Sequence, residues 1–374
     1  MSTATSSIQS DSVRILTERI QREVDAGRMP AAQLALALNG ELVHTQNFGE
    51  AGDSTRFNVF SCTKALIAGV VWQLIGEGKL SASTSVKELV PSFTAADGMT
   101  LEHLLTHTSG FPYAPLGPPK WDTRQGRLDQ FAKWNLQYPI GERFEYHATS
   151  AHWVVAEMIE VIEGTDYRQV VADRVLSPLG LDDFTLGGDA SNAGEIAEMT
   201  LVGSMPSAEE IEAVFGIPNV DLGEVTPDIL LNFNLPEVRK AGIPAGGGVA
   251  TASSLAMLYQ GFLQNPEGLW DPALIEDGTQ NIRCVLPDPL RRVPSNRTLG
   301  LVRAGNDGNA HMRGFGYSTS DKAFGHGGAA GQIAWADPDS GLSVGFCTSA
   351  VEMNFLSEAR RTISITSKAG AVVQ

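Results

Sequence analysis

Ser61 and Lys64 stand three residues apart in Ser61-Cys62-Thr63-Lys64, at the head of an apolar run. A serine hydroxyl is a poor nucleophile until a base removes its proton. A lysine desolvated in apolar surroundings loses its preference for the charged form and can help take that proton. On a helix, side chains three apart rise on one face, and the positive end of the helix favours a developing alkoxide. The bland alternative is a capping serine beside a solvated lysine, because four-residue patterns recur by chance. Yet Ser61 is the only serine in the chain with a lysine three residues on. Nothing near Cys62 marks that thiol as the nucleophile instead.

Two other stretches could join this pair. Tyr146 lies in Pro139-Ile-Gly-Glu-Arg-Phe-Glu-Tyr-His-Ala-Thr-Ser150, just before an amphipathic segment. A lone tyrosine there can anchor a loop, or its phenol can share the serine proton with Lys64. Gly325-His326-Gly327-Gly328-Ala329-Ala330-Gly331 leads into a strand. Its glycines suit a close backbone approach, and the same bare edge lets a substrate carbonyl reach a backbone N–H.

In this order the three motifs resemble the serine β-lactamase and penicillin-binding-protein superfamily, in its class C-like branch with the family VIII carboxylesterases. Ser61 to Lys64 matches Ser-x-x-Lys. Tyr146-His147-Ala148 stands where the family has Tyr-x-Asn. His326-Gly327-Gly328 stands where lactamases carry Lys-Thr-Gly and many esterase-like relatives a Gly-Gly variant. Leu104 to Gly110, Pro178 to Leu181 and Gly246 to Thr251 look like further family segments, so the resemblance runs over residues 10 to 365. It implies that Ser61 attacks and that Lys64 and Tyr146 share the proton traffic. It also implies an oxyanion between the N–H groups of Ser61 and Ala329, with Gly327 and Gly328 on the substrate-binding strand and His326 bordering the acyl or alcohol pocket. No metal or organic cofactor is required.

Two departures bear on the substrate. Ala148 lacks the amide that helps lactamases hold a substrate side chain, and a neutral His326 binds an anion poorly. Both argue against efficient β-lactam hydrolysis. The expected activity is hydrolysis of small carboxylic esters through an acyl-enzyme. The alternatives on the same site are β-lactam hydrolysis, D-amino-acid amide or peptide hydrolysis, and acyl transfer to an alcohol. A non-catalytic binding protein of the same fold is the reading from another class.

The elements that must position these residues are legible in outline. From Ser61 the chain reads as one buried helix, with Leu66, Ile67, Val70, Val71, Leu74 and Ile75 in an apolar stripe and Gly76 and Gly78 as its stop. A first helix covers 9 to 27. Asn39-Gly40 suits a type I′ hairpin between 31–38 and 41–48. Short helices are expected at 100–107 and 152–163, a surface loop at 111–120, and a cap-like insertion at 190–235. A turn at 244–249 enters a helix near Ser253. Strands are expected at 299–303, 332–336 and 342–348, then a last helix at 353–368. The fold class is α+β: an antiparallel sheet flanked by helices (1–80 with 250–374), a mostly helical domain inserted at 81–249, and the site at their junction.

Composition narrows the partners. The chain has 374 residues, 43% hydrophobic and 19% charged, with a formal net charge of -16. Such acidity argues against nucleic acid or an anionic membrane as partner; the small-molecule ester is what the resemblance implies. The first residues show no signal-peptide pattern, no apolar run spans a membrane, and Cys62, Cys284 and Cys347 read as reduced thiols. A cytoplasmic protein is expected. Two patterns look like decoys. Gly341-Leu-Ser343-Val-Gly345 has the hydrolase elbow spacing but follows a turn and precedes strand residues, and no histidine follows His326. His103 and His107 are spaced like metal ligands on a helix but lack a third partner.

Overall fold

The strand at residues 31–38 is buried along its whole length, which places it inside a sheet. The computed structural model describes residues 7–188, 195–220, 223 and 225–373. Its main sheet has six strands: β1 (Ala31–Leu38), β2 (Glu41–Gly49), β3 (Val302–Arg303), β4 (Phe324–Gly325), β5 (Ile333–Asp337) and β6 (Leu342–Thr348). Their order is β2-β1-β6-β5-β4-β3, with every neighbouring pair antiparallel. The hairpin turn is as expected, with positive φ at both Asn39 and Gly40.

Five helices frame the sheet and the site: α1 (Ser10–Asp25), α2 (Lys64–Gly76), α3 (Ser150–Glu163), α4 (Ala252–Gln264) and α5 (Phe355–Gly370). Side chains alternate across a strand, and here the two faces differ in size. Ala32, Leu34, Leu36, Trp335, Val344 and Phe346 meet α1 and α5 on one face. Ala31, Ala35, Ala37, Ala334 and Ala336 meet α4 on the other. The small residues let α4 lie directly on the strands. At Gly345 a Cβ would come 2.0 Å from the Ala252 carbonyl oxygen, so no other residue fits. Ser343, beside it, is fully buried, donates to Ala256 O at 2.8 Å and accepts from Gln260 Nε2 at 3.0 Å. It joins helix to sheet and has no place in a nucleophile elbow.

The larger core continues from this face through α2 into α3. Every residue of α2 from Lys64 to Leu74 is buried. Trp72 packs on Phe262 of α4 with ring centroids 5.0 Å apart. Helices dominate the chain between β2 and α4, and the whole is the expected α+β arrangement. No helix among the described residues is long and apolar enough to cross a membrane.

Three expectations need correction. The helix does not begin at Ser61: a 3-10 turn (Phe60–Thr63) comes first, and the α-helix starts at Lys64. The run 299–303 is extended only at Val302–Arg303, because the chain turns beforehand, with Thr298 N–H donating to Leu301 O at 3.0 Å. The helix expected at 100–107 covers only Leu101–Leu105. Within the stretch expected as a cap, residues 190–194, 221, 222 and 224 lie outside the described residues. The rest includes a short strand, Thr200–Val202, parallel to Ala350–Glu352, and helices at Ala208–Phe215 and Pro227–Leu231.

Candidate active site

Side chains at i and i+3 eclipse one another in a 3-10 turn. The turn before α2 therefore aims Ser61 and Lys64 at each other, with Oγ and Nζ 3.2 Å apart. The turn is held in an uncommon shape. Phe60 has φ of 44°, a region that non-glycine residues rarely adopt unless their surroundings enforce it. Three hydrogen bonds do so here: Thr63 Oγ1 to Phe60 O at 2.6 Å, Gly248 N to Thr63 Oγ1 at 2.9 Å, and Val59 N to Gly248 O at 3.0 Å. The Phe60 ring also meets Phe233 edge-on at 5.0 Å.

Lys64 is fully buried and has no carboxylate partner among the described residues. Besides Ser61 Oγ, its ammonium reaches Ala148 O at 2.9 Å and Ala245 O at 3.0 Å. The two carbonyls take two of its N–H groups and leave the third position facing Ser61. Desolvation lowers its pKa. Tyr146 completes the triangle: its Oη lies 2.8 Å from Ser61 Oγ and its ring centroid 5.0 Å from Lys64 Nζ. Burial pushes this phenol up, but the charges of Lys64 and Arg297 outweigh it and the net shift is downward. Ala148 contributes only its carbonyl.

The segment after β4 closes the site. Gly328 is forced by close approach, since a Cβ there would come 2.4 Å from Val59 O, on the chain leading into Ser61. Gly327 is exposed and Ala329 half-buried, at the start of the 3-10 turn Ala329–Gly331. His326 is buried, with its ring 6.0 Å from that of Tyr146. Its tautomer follows from its partners. Nδ1 lies 2.8 Å from Gly327 O, which can only accept, so Nδ1 carries the proton. Nε2 lies 3.0 Å from Arg297 Nη1, which can only donate, so Nε2 accepts. Desolvation and then the Arg297 charge hold His326 well below the usual histidine pKa, in the neutral form.

The structure thus brings Ser61, Lys64, Tyr146 and His326 together, and it adds Arg297, which sequence reasoning missed, and His107, which the sequence offered only as a decoy metal ligand. Arg297 is 5% exposed, with its guanidinium 5.3 Å from the Tyr146 ring centroid and 5.2 Å from that of Phe144. Burial pulls its pKa down to about 10. No motif surrounds it, so no sequence signal could have singled it out. His107 packs on Tyr146 with centroids 4.7 Å apart and the rings tilted by 41°, and accepts at Nδ1 from His147 N–H at 3.2 Å. It is not a helical partner of His103, because the helix ends at Leu105 and His107 has φ of 59°. His103 instead caps that helix through Thr100. Among the described residues no cluster of His, Cys, Asp and Glu could hold a metal ion.

The geometry invites comparison with known proteins. A family model described as Beta-lactamase matches residues 16–365. The esterase/beta-lactamase LipL of Mycobacterium tuberculosis is 27% identical over 308 residues, which is 76% of this chain and 67% of LipL. The chain spans under two fifths of the length of several other curated relatives. A penicillin-binding protein homolog from Caulobacter crescentus superposes with TM-score 0.77 at 24% identity, covering 98% of this chain and 100% of that one. A family VIII carboxylesterase superposes with TM-score 0.75 at 21% identity, covering 97% of this chain and 99% of that one. Matched over nearly its whole length by the family model and folded like these neighbours, the chain belongs to the Beta-lactamase family of serine hydrolases.

Proposed function

We propose that the protein hydrolyses small carboxylic esters through an acyl-enzyme on Ser61. The observation that carries this reading is that Ser61 Oγ lies within hydrogen-bonding reach of both Lys64 Nζ, at 3.2 Å, and Tyr146 Oη, at 2.8 Å. Ser61 Oγ attacks the ester carbonyl while its proton passes to the Tyr146–Lys64 pair. The backbone N–H groups of Ser61 and Ala329 receive the oxyanion. The pair returns the proton to the departing alcohol, and the same groups then deprotonate the water that releases the acid.

Esters are favoured over β-lactams because Ala148 offers no side-chain amide. The parallel argument from a neutral His326 is weaker than the sequence implied, since Arg297 brings a cation back to the same place. β-Lactam hydrolysis is therefore the second reading, and Arg297 is the feature that favours it. The names of similar proteins, an esterase/beta-lactamase and a carboxylesterase, span both. Amide hydrolysis and transfer of the acyl group to another alcohol would use the same residues.

The test is Ser61→Ala. A fluorophosphonate probe is expected to add once to the wild type and not at all to the variant by intact mass. Hydrolysis of p-nitrophenyl acetate and butyrate is expected to fall by on the order of 10⁴-fold or more. Near-normal turnover by folded Ser61→Ala removes Ser61 from the mechanism. A nitrocefin kcat/KM equal to or above that of the esters replaces the esterase reading with the lactamase one.

A further inference from the structure

Around Tyr146 the protein has buried two cations, and among the described residues neither makes an ion pair with a carboxylate. The groups facing it come from every element packed there: Ser61 and Lys64 from α2 and its turn, His107 from the loop after Leu105, His326 from the end of β4, and Arg297 from the loop before β3. His147 and His152 lie behind His107, with ring centroids 6.0 and 5.9 Å from it. All four histidines are held below the usual pKa, chiefly by burial, and so are neutral. Glu145, next in sequence, is occupied by Arg143 at 3.2 Å and by Tyr113 Oη at 2.5 Å. Other groups that can turn negative act on these cations, among them the Cys62 thiol, which burial pushes up to about 12, and Asp288, which Arg291 pairs at 2.9 Å; of these groups Tyr146 is the one hydrogen-bonded to Ser61, at 2.8 Å.

The placement of Arg297 is built. Its backbone is fixed in a two-way bridge, donating to Cys284 O at 3.0 Å and accepting from Arg283 N at 2.7 Å and Cys284 N at 3.1 Å. Its side chain is anchored on His326, whose Nε2 can accept only because Nδ1–H faces Gly327 O. Of the other buried arginines, Arg127 answers Glu160 at 2.6 Å and Arg361 answers Glu352 at 3.3 Å, whereas Arg56, like Arg297, makes no ion pair among the described residues. Among the described residues no carboxylate lies within 4.0 Å of Arg297, and its Nε has no hydrogen-bond partner. A buried charge left without an opposite one is costly, and a phenolate would supply that opposite charge.

We propose that Arg297 is a positioning residue for the base: anchored by neutral His326, its guanidinium and the Lys64 ammonium together hold the Tyr146 oxygen as a phenolate facing Ser61. This rests on the reading of Tyr146 as part of the base. In acylation the phenolate takes the Ser61 proton as the Oγ–carbon bond forms, and the phenol gives it to the alcohol oxygen as the ester bond breaks. Arg297 exchanges nothing. It stabilises the charged form of the group that does, where the resemblance would have placed a lysine in the position of His326.

Near-ultraviolet tyrosinate absorbance is titrated on the wild type, Tyr146→Phe, Arg297→Gln and Arg297→Lys, beside the pH dependence of kcat/KM for p-nitrophenyl acetate. The Tyr146 titration is the one missing from Tyr146→Phe. It is expected to move up by about one to three pH units in Arg297→Gln, to carry the acid limb of the rate profile with it, and to return toward the wild-type position in Arg297→Lys. Arg297→Met, which keeps the bulk of the side chain, repeats the measurement if Arg297→Gln does not fold. An unmoved tyrosinate titration in a folded neutral variant overturns the proposal. The absorbance needs no turnover. A shifted titration in a protein that hydrolyses no ester sinks the esterase reading and leaves this one standing.

Discussion

Arg297 and Arg361 are both hidden from water, yet they keep opposite company. Arg361 of α5 reaches Glu352 at 3.3 Å and lies 4.0 Å from Glu23 of α1. Glu23 is answered in turn by Arg19 and by Arg28, the latter at 2.6 Å. Every charge in that cluster has an opposite one, and the cluster ties both helices of the outer layer to the strand at 350–352. On the other side of the sheet, Lys64 and Arg297 face a tyrosine and a set of carbonyls. Removing one member of a buried ion pair is strongly destabilising, because it strands the other. Removing a buried cation that has no partner relieves a desolvation cost. The outer cluster therefore serves the fold, and the inner one is kept at the fold's expense, as functional sites commonly are.

The largest expected effect sharpens this contrast at the inner cluster. Lys64→Met and Tyr146→Phe are each expected to lower the acylation rate by on the order of 10²–10⁴, measured by stopped flow. The double variant should be little worse than the worse single one, since groups acting as a unit are not additive. Thermal melts should show Lys64→Met no less stable than the wild type. Its folded-state pKa lies below the ordinary 10.5, so between the two values the unfolded chain binds more protons and stability rises with pH. Lys64→Met should flatten that rise. Cleanly multiplicative rate losses, or a melt lowered as far as that of a broken ion pair, would erase the distinction.

At the outer cluster the order reverses. Arg361→Met is expected to lose about 3 kcal/mol in urea unfolding while activity per folded molecule stays normal. Arg361→Met with Glu352→Leu should recover most of that loss. A silent Arg361→Met would mean that pairing does not separate the two regions. The smallest effect comes from Glu358, half-buried near this cluster, whose carboxyl burial pushes up to about 7 from the ordinary 4.5. The folded state then binds more protons than the unfolded one between these values, so this residue's contribution falls as pH rises and its cost is complete above pH 7. Glu358→Gln should stabilise the protein above pH 7 by about 1–2 kcal/mol, discounted for partial exposure, and leave it unchanged below pH 4. A gain of the same size at low pH would contradict the assignment.

The contrast also marks what could be read from the chain. Ser61 and Lys64 were legible because their relation is local, and Tyr146 and His326 because motif order linked them. The six-stranded sheet was legible in part, from the Asn39-Gly40 hairpin and the strand pattern at 332–348. Arg297 was not, because its role comes from His326, 29 positions on, and from Tyr146, far back in the chain. His107 reads as structural in the sequence because its helical spacing to His103 offers a metal pair with no third ligand, whereas a positive φ just past the helix end turns its ring onto Tyr146. The start of α2 was misjudged for a related reason. Propensity favours one continuous helix, but the tertiary bonds of Thr63 and Gly248 tighten its first turn.

The acceptors that hold Lys64 lie 84 and 181 positions further along the chain, at Ala148 and Ala245. During synthesis Ser61 and Lys64 leave the ribosome long before either carbonyl exists, and before the segment around Gly328 arrives. A growing or truncated chain carries an ordinary hydroxyl beside an ordinary solvated amine, inert toward the esters and acyl donors around it. On the proposed function, reactivity appears only when chain segments from both ends and the middle have closed on one another. The proposed nucleophile would thus be armed by completion of the fold, and turnover by it would double as a stringent report that the last strands have docked.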